Sequence, residues 1–113
     1  MKVLLIGAGA MGGAILRGCL DHQVWKKEDV LIKGRTAESS RRDAAAYGVS
    51  WSEDGHEAGE VDMVIVAVKP GVVPQVLKEI APYHPRRVLS IAAAVALSSL
   101  EEARDLVDFC KKH

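Results

Sequence analysis

The stretch Val3-Leu4-Leu5-Ile6-Gly7-Ala8-Gly9-Ala10-Met11-Gly12 decides the fold of this chain. Four consecutive apolar residues stopped by a glycine are the pattern of a short strand buried on both faces. Beyond it, Met11, Ala14, Ile15, Gly18 and Cys19 recur at helical spacing, so a helix over Met11 to Leu20 leaves the glycine loop directly. Gly7-x-Gly9-x-x-Gly12 therefore follows a strand and opens a helix, the context in which this pattern means more than a tight turn. The first glycine permits the turn. The second, expected in a glycine-only backbone conformation, lets the main chain approach a pyrophosphate, and the third lets helix pack closely on strand. Phosphate oxygens would meet free N–H groups and the positive end of the helix dipole. A dinucleotide is the ligand this unit predicts.

The same reading extends along the chain. Val30 to Ile32 is a second strand, and Ala37 to Tyr47 a second helix that carries Arg41 and Arg42 and ends at Gly48 as C-cap. Val49 to Trp51 makes a short third strand, and Met63 to Val68 is the strongest strand signal of the chain. Pro70-Gly71 breaks it, a helix follows over Val72 to Ile80, and a fifth strand fits Val88 to Ile91. Leu97 to Lys112 reads as an amphipathic helix with Leu100, Ala103, Val107 and Cys110 on one side, capped by Ser98 or Ser99. Strands alternating with helices over short loops imply a doubly wound parallel sheet of the Rossmann type, three layers α/β/α, with strand order 3-2-1-4-5. In such a sheet the ligand lies outside the carboxyl ends of the strands, where the order reverses. The glycine loop and Lys69-Pro70 are expected to meet there.

The chain of 113 residues, 49% of them hydrophobic, suits a single domain spanning 1–113 with its own core. Fifteen Lys+Arg balance fifteen Asp+Glu for a formal net charge of +0, so no global field draws in nucleic acid or an anionic membrane, and any anion site is local. Cys19 and Cys110 each fall in an apolar helical pattern, which suits a reducing, cytoplasmic compartment. Val3 to Ile6 is too short for a signal peptide or a membrane span.

The second strand bears on the choice of dinucleotide. A site selective for NAD places Asp or Glu about 20 residues past the loop, to accept hydrogen bonds from the ribose hydroxyls. Here the stretch is Lys33-Gly34-Arg35-Thr36. A guanidinium grips a 2′-phosphate through paired N–H donors, and Thr36 offers a hydroxyl and a helix N-terminus. NADP(H) is the expected cofactor, with NAD(H) the alternative. The bland reading is that Arg35 is a solvated loop residue and Lys33 a strand-end charge. Lys69 is equally a candidate cation toward cofactor or substrate and a solvated residue before proline. His22, His56, His84 and His113 show no i, i+4 pairing and no cysteine at ligand spacing, so no metal is expected. Trp25 and Trp51 lack a basic aromatic patch and suit core or rim packing.

Ile6-Gly7-Ala8-Gly9-Ala10-Met11-Gly12, Gly34-Arg35-Thr36, Ala67-Val68-Lys69-Pro70 and Ser90-Ile91-Ala92-Ala93-Ala94-Val95 occur in the order seen in pyrroline-5-carboxylate reductases, which the chain resembles from Met1 to about Glu101. The resemblance implies reduction of 1-pyrroline-5-carboxylate to L-proline with NAD(P)H, the last step of proline synthesis. It also implies a cofactor lining of Ile6, Gly7, Ala8, Gly9, Ala10 and Met11, then Gly34, Arg35 and Thr36. Ala67, Val68, Lys69 and Pro70, with Ala92, Ala93 and Ala94, complete it. The family commonly has Asn where this chain has Ala10, Gly where it has Ala94, and Asn where ungapped counting back from Ala67 lands on Asp54, which joins the expected lining. In that family a helical C-terminal domain supplies the imino-acid pocket and the oligomer interface. The tail Asp108 to His113 does not resemble the start of that domain, so this chain by itself is expected to bind the dinucleotide with little or no turnover. A binding or scaffold module without catalysis is the second reading. A different NADP-linked reductase, such as a β-hydroxyacid dehydrogenase or a deazaflavin-dependent one, is the third, and Ala67-Val68-Lys69-Pro70 speaks against it.

Overall fold

A computed structural model describes residues 1–7 and 9–90 of the chain. Its five strands form one parallel sheet: β1 (Val3–Ile6), β2 (Val30–Lys33), β3 (Ser50–Trp51), β4 (Met63–Val66) and β5 (Val88–Ser90), in the order β3-β2-β1-β4-β5. The α-helices among the described residues are α1 (Ala10–Asp21), α2 (Ala37–Tyr47) and α3 (Val73–Ile80). The expected order 3-2-1-4-5 is the observed one. The expected helix over Leu97 to Lys112, Ile91, Cys110, and the cofactor residues Ala8 and Ala92 to Ala94 lie outside the described residues.

β1 sits at the centre because all four of its residues are apolar and can be buried on both faces, with β2 and β4 beside it in register from Val3 to Ile6. Its alternate residues enter different cores. Val3 and Leu5 pack with Ile15, Leu16 and Cys19 of α1 and with Trp25, while Leu4 and Ile6 pack with Val76 and Ile80 of α3. Tyr47 of α2 joins the first core, so α1 and α2 cover one face of the sheet and α3 the other. Trp25 is thus a core residue, and Trp51 a half-buried one on β3. No helix among the described residues is long and apolar enough to cross a membrane.

Element boundaries move where a backbone group finds a different partner. Lys33 belongs to β2 because its carbonyl accepts from the amide of Gly7 at 2.9 Å. Val49, expected in the third strand, instead donates to Ala44 O at 3.0 Å and finishes the end of α2. Gly48 there adopts the left-handed conformation, φ 70°, expected of a C-cap. β4 stops at Val66 rather than Val68: Ala67 donates to Ile6 O at 2.8 Å, and the chain then turns. Pro70–Val72 form a 3-10 turn, so α3 starts at Val73.

Candidate functional site

At the carboxyl ends of the strands the glycine loop is held from both sides. Gly7 has φ +92°, which favours glycine, and a Cβ there would lie 2.5 Å from the carbonyl oxygen of Ala67. Gly12 is buried beneath it, so that any Cβ would overlap the Gly7 carbonyl. These two glycines serve the turn and the helix-on-strand packing, as their spacing predicts. Gly9 differs from expectation. Its φ of −73° and ψ of −156° are extended backbone open to any residue, and a Cβ would meet nothing within 4 Å. What glycine leaves at position 9 is space rather than conformational licence.

The two helices flanking this corner begin in opposite ways. α1 has no side-chain cap at Gly9 and no acidic residue in its first turn, so its first N–H groups are left for an outside acceptor. α2 is closed by its own side chains. The Thr36 hydroxyl accepts from the Ser39 amide at 3.0 Å, and the Ser39 hydroxyl accepts from the Thr36 amide at 3.0 Å, a reciprocal capping box. The Thr36 hydroxyl expected to face the cofactor is therefore engaged within the helix end.

A cleft of about 920 Å³ opens at the switch in strand order between β1 and β4, within the size of ligand pockets in proteins. Ile6, Gly7 and Gly9 form its floor, and Lys33, Gly34 and Arg35 one wall. Ala67, Val68 and Lys69 make the wall opposite. Sequence reasoning missed two helical stripes that complete it: Ser39, Arg42 and Asp43 on α2, and Val72 at the N-cap of α3 with Gln75, Val76 and Glu79 along it. Both have i, i+3, i+4 spacing, the signal that could have found them. The cleft gathers the cations Lys33, Arg35, Arg42 and Lys69 against the carboxylates Asp43 and Glu79. A chain with no net charge thus concentrates positive charge at this corner, where an anion gains most from it.

Of the other expected residues, Ala10 and Met11 open α1, and Pro70 begins the turn before α3. Asp54 does not line the cleft. It lies in an exposed turn formed by Gly55 at φ +82°, where its Oδ1 stands 2.6 Å from His56 Nδ1 and Glu57 Oε1 stands 2.9 Å from the same nitrogen. Bonding to His56 holds the Asp54 carboxyl below its usual range, and bonding to Asp54 raises the His56 imidazole above its own. One ligand atom from each of these three residues falls within 4.8 Å of the others. Reading the histidines only for His and Cys partners missed this carboxylate pair. A smaller hollow beside Gly9 and Gly13 is bounded by Arg17, whose guanidinium stands 5.9 Å from the centre of the Tyr47 ring.

The chain is similar to parts of known oxidoreductases. Residues 2–94 match the model of a family described as NADP oxidoreductase coenzyme F420-dependent. The chain is 34% identical over 105 residues to a pyrroline-5-carboxylate reductase of Thermus thermophilus, covering 93% of this chain and 40% of that protein. It is 33% identical over 111 residues to the Escherichia coli pyrroline-5-carboxylate reductase, covering 90% and 39%. A crystal structure of Plasmodium falciparum pyrroline carboxylate reductase with NADP bound superposes with a TM-score of 0.67 at 27% identity, covering 91% of this chain and 37% of that one. The chain spans about 40% of the length of the relatives it matches.

Proposed function

This chain belongs to the family described as NADP oxidoreductase coenzyme F420-dependent, and from that premise we propose that it is the NADP(H)-binding part of a pyrroline-5-carboxylate reductase. The relatives named for that activity support the assignment of the reaction, reduction of 1-pyrroline-5-carboxylate to L-proline in proline synthesis. A cytoplasmic setting accords with Cys19 lying buried in the core. One observation carries the reading: the uncapped start of α1 opens into the same cleft as Arg35.

The residues present fit a dinucleotide. The space left by Gly9 and the N–H groups of α1 receive the pyrophosphate, and Gly7 and Gly12 hold that loop in shape. Arg35, which makes no hydrogen bond or ion pair among the described residues, takes the 2′-phosphate through its fork of donors. Val68 and Lys69 bound the side toward the nicotinamide. The bound nicotinamide supplies the hydride, and the protein's part is to orient it and exclude water.

The experiment is a fluorescence titration of NADPH and NADH against the 113-residue polypeptide, followed by a turnover assay. Saturable binding that favours NADPH, with turnover far below about 10 per second, is the expected result. Absence of binding by either nucleotide overturns the reading.

A further inference from the structure

We propose that Ser40 is the positioning residue of the 2′-phosphate site, because its buried hydroxyl staples together the two residues that flank Arg35. The proposal rests on the NADP(H) reading above and says how the loop that carries the guanidinium is held. Ser40 is 1% exposed, one of two buried polar residues in the described core. Its Oγ donates to the carbonyl of Thr36 at 2.8 Å, the bond back to i−4 that serine often makes in a helix. The same oxygen also accepts from the amide of Gly34 at 2.7 Å, a group that belongs to no helix. One hydroxyl therefore ties residue 34 to residue 36 across the base of Arg35.

Gly34 is what lets the loop come this close. A Cβ at that position would lie 2.8 Å from Ser39 Oγ and 3.3 Å from the Ser40 amide nitrogen, so any larger residue pushes the loop off the start of α2. The Arg35 side chain itself is exposed, and its placement depends on the backbone beneath it. A loop already held in one shape loses less freedom when a ligand arrives, which converts a distant hydrogen bond into affinity for the group that Arg35 grips. Ser39 caps the same helix through Thr36 but makes no hydrogen bond to Gly34.

The test is titration of NADPH and NADH against Ser40→Ala, Gly34→Ala, Arg35→Ala and the double variant Ser40→Ala with Arg35→Ala. Ser40→Ala should weaken NADPH about 10-fold and NADH less than about 2-fold, and should add almost nothing on the Arg35→Ala background. Gly34→Ala should reproduce the selective loss with Ser40 in place, which keeps the test decisive if Ser40→Ala unfolds. Equal weakening of both nucleotides by Ser40→Ala, or a loss that persists in full on the Arg35→Ala background, overturns the proposal. A distinct outcome, in which Arg35→Ala alone leaves the NADPH preference intact, overturns the underlying reading of Arg35 and this proposal with it.

Discussion

The amide of Gly7 donates to the carbonyl oxygen of Lys33 at 2.9 Å, joining the glycine loop to the end of β2. On the other side of the same glycine, Ala67 donates to Ile6 O at 2.8 Å. The loop assigned to the pyrophosphate, the strand end that leads to Arg35 and the turn that carries Lys69 are thus consecutive parts of one hydrogen-bonded frame. Rigidity of this kind lets a set of exposed side chains keep a common geometry.

Two glycines of the loop, Gly9 and Gly12, should separate when each is replaced. Gly12→Ala forces a Cβ into the Gly7 carbonyl and should cost about 1–3 kcal/mol of stability, the range of overpacking. Gly9→Ser should fold at least as well as the parent, since serine is a favoured N-cap and its Cβ meets open space. Its hydroxyl, however, takes the N–H groups that the phosphate needs, so NADPH should bind at least about 10-fold more weakly. Thermal unfolding and a nucleotide titration on the two variants check this. A Gly9→Ser protein with unchanged affinity would remove the loop from the site.

The sequence made the fold legible because hydrophobic periodicity is strong where burial is complete. Val3 to Ile6 and Ala37 to Tyr47 match their observed bounds, since a glycine stops each of them and no competing partner intervenes. Val68 was misread because apolar character continues past the point where the backbone turns. The site was half legible. Gly7, Gly12 and Arg35 are marked by residue type, whereas Ser40 acts through a bond that only the close approach of Gly34 creates. Asp54 came from the resemblance alone; its hydrogen bonds are to His56, and it is not among the residues that line the cleft.

The core prediction is simple. Leu5 is fully buried between the sheet and α1, and Leu5→Ala should cost about 2–5 kcal/mol through lost transfer energy and the cavity left behind. Chemical denaturation should show a lower midpoint with an unchanged slope. A loss below about 1 kcal/mol would mean that α1 collapses onto the gap.

The His56 pair gives stability a pH signature. Its pKa is raised above 6.5 by the hydrogen bond to Asp54, with Glu57 adding to it. The protonated form is therefore the one the fold prefers, and the contribution is present below about 6.5 and fades as pH rises through the raised value. Asp54 is lowered from 3.8 by His56, so its contribution is lost as pH falls through that lowered value. His56→Ala should lower the melting temperature at pH 5.5 and have little effect at pH 9. An equal effect at both values would assign the role of His56 to packing rather than charge.

Arg35 carries the claim about which nucleotide is bound. It stands exposed on the cleft wall with no ion pair among the described residues, where NAD-selective sites place an acid for the ribose hydroxyls. A charge-assisted, paired contact to a phosphate is worth about 1.5–3 kcal/mol. Arg35→Ala should therefore weaken NADPH roughly 10- to 100-fold and leave NADH almost unchanged, since only the 2′-phosphate loses its partner. Added salt should reproduce part of the loss in the parent, because an exposed ion pair is screened over about 10 Å at 0.1 M. Its effect on NADPH should shrink once Arg35 is gone. A salt dependence that survives the substitution in full would shift the phosphate contact to Arg42 or Lys33, which line the same cleft. Equal weakening of both nucleotides would instead make Arg35 a support for the fold or the adenine.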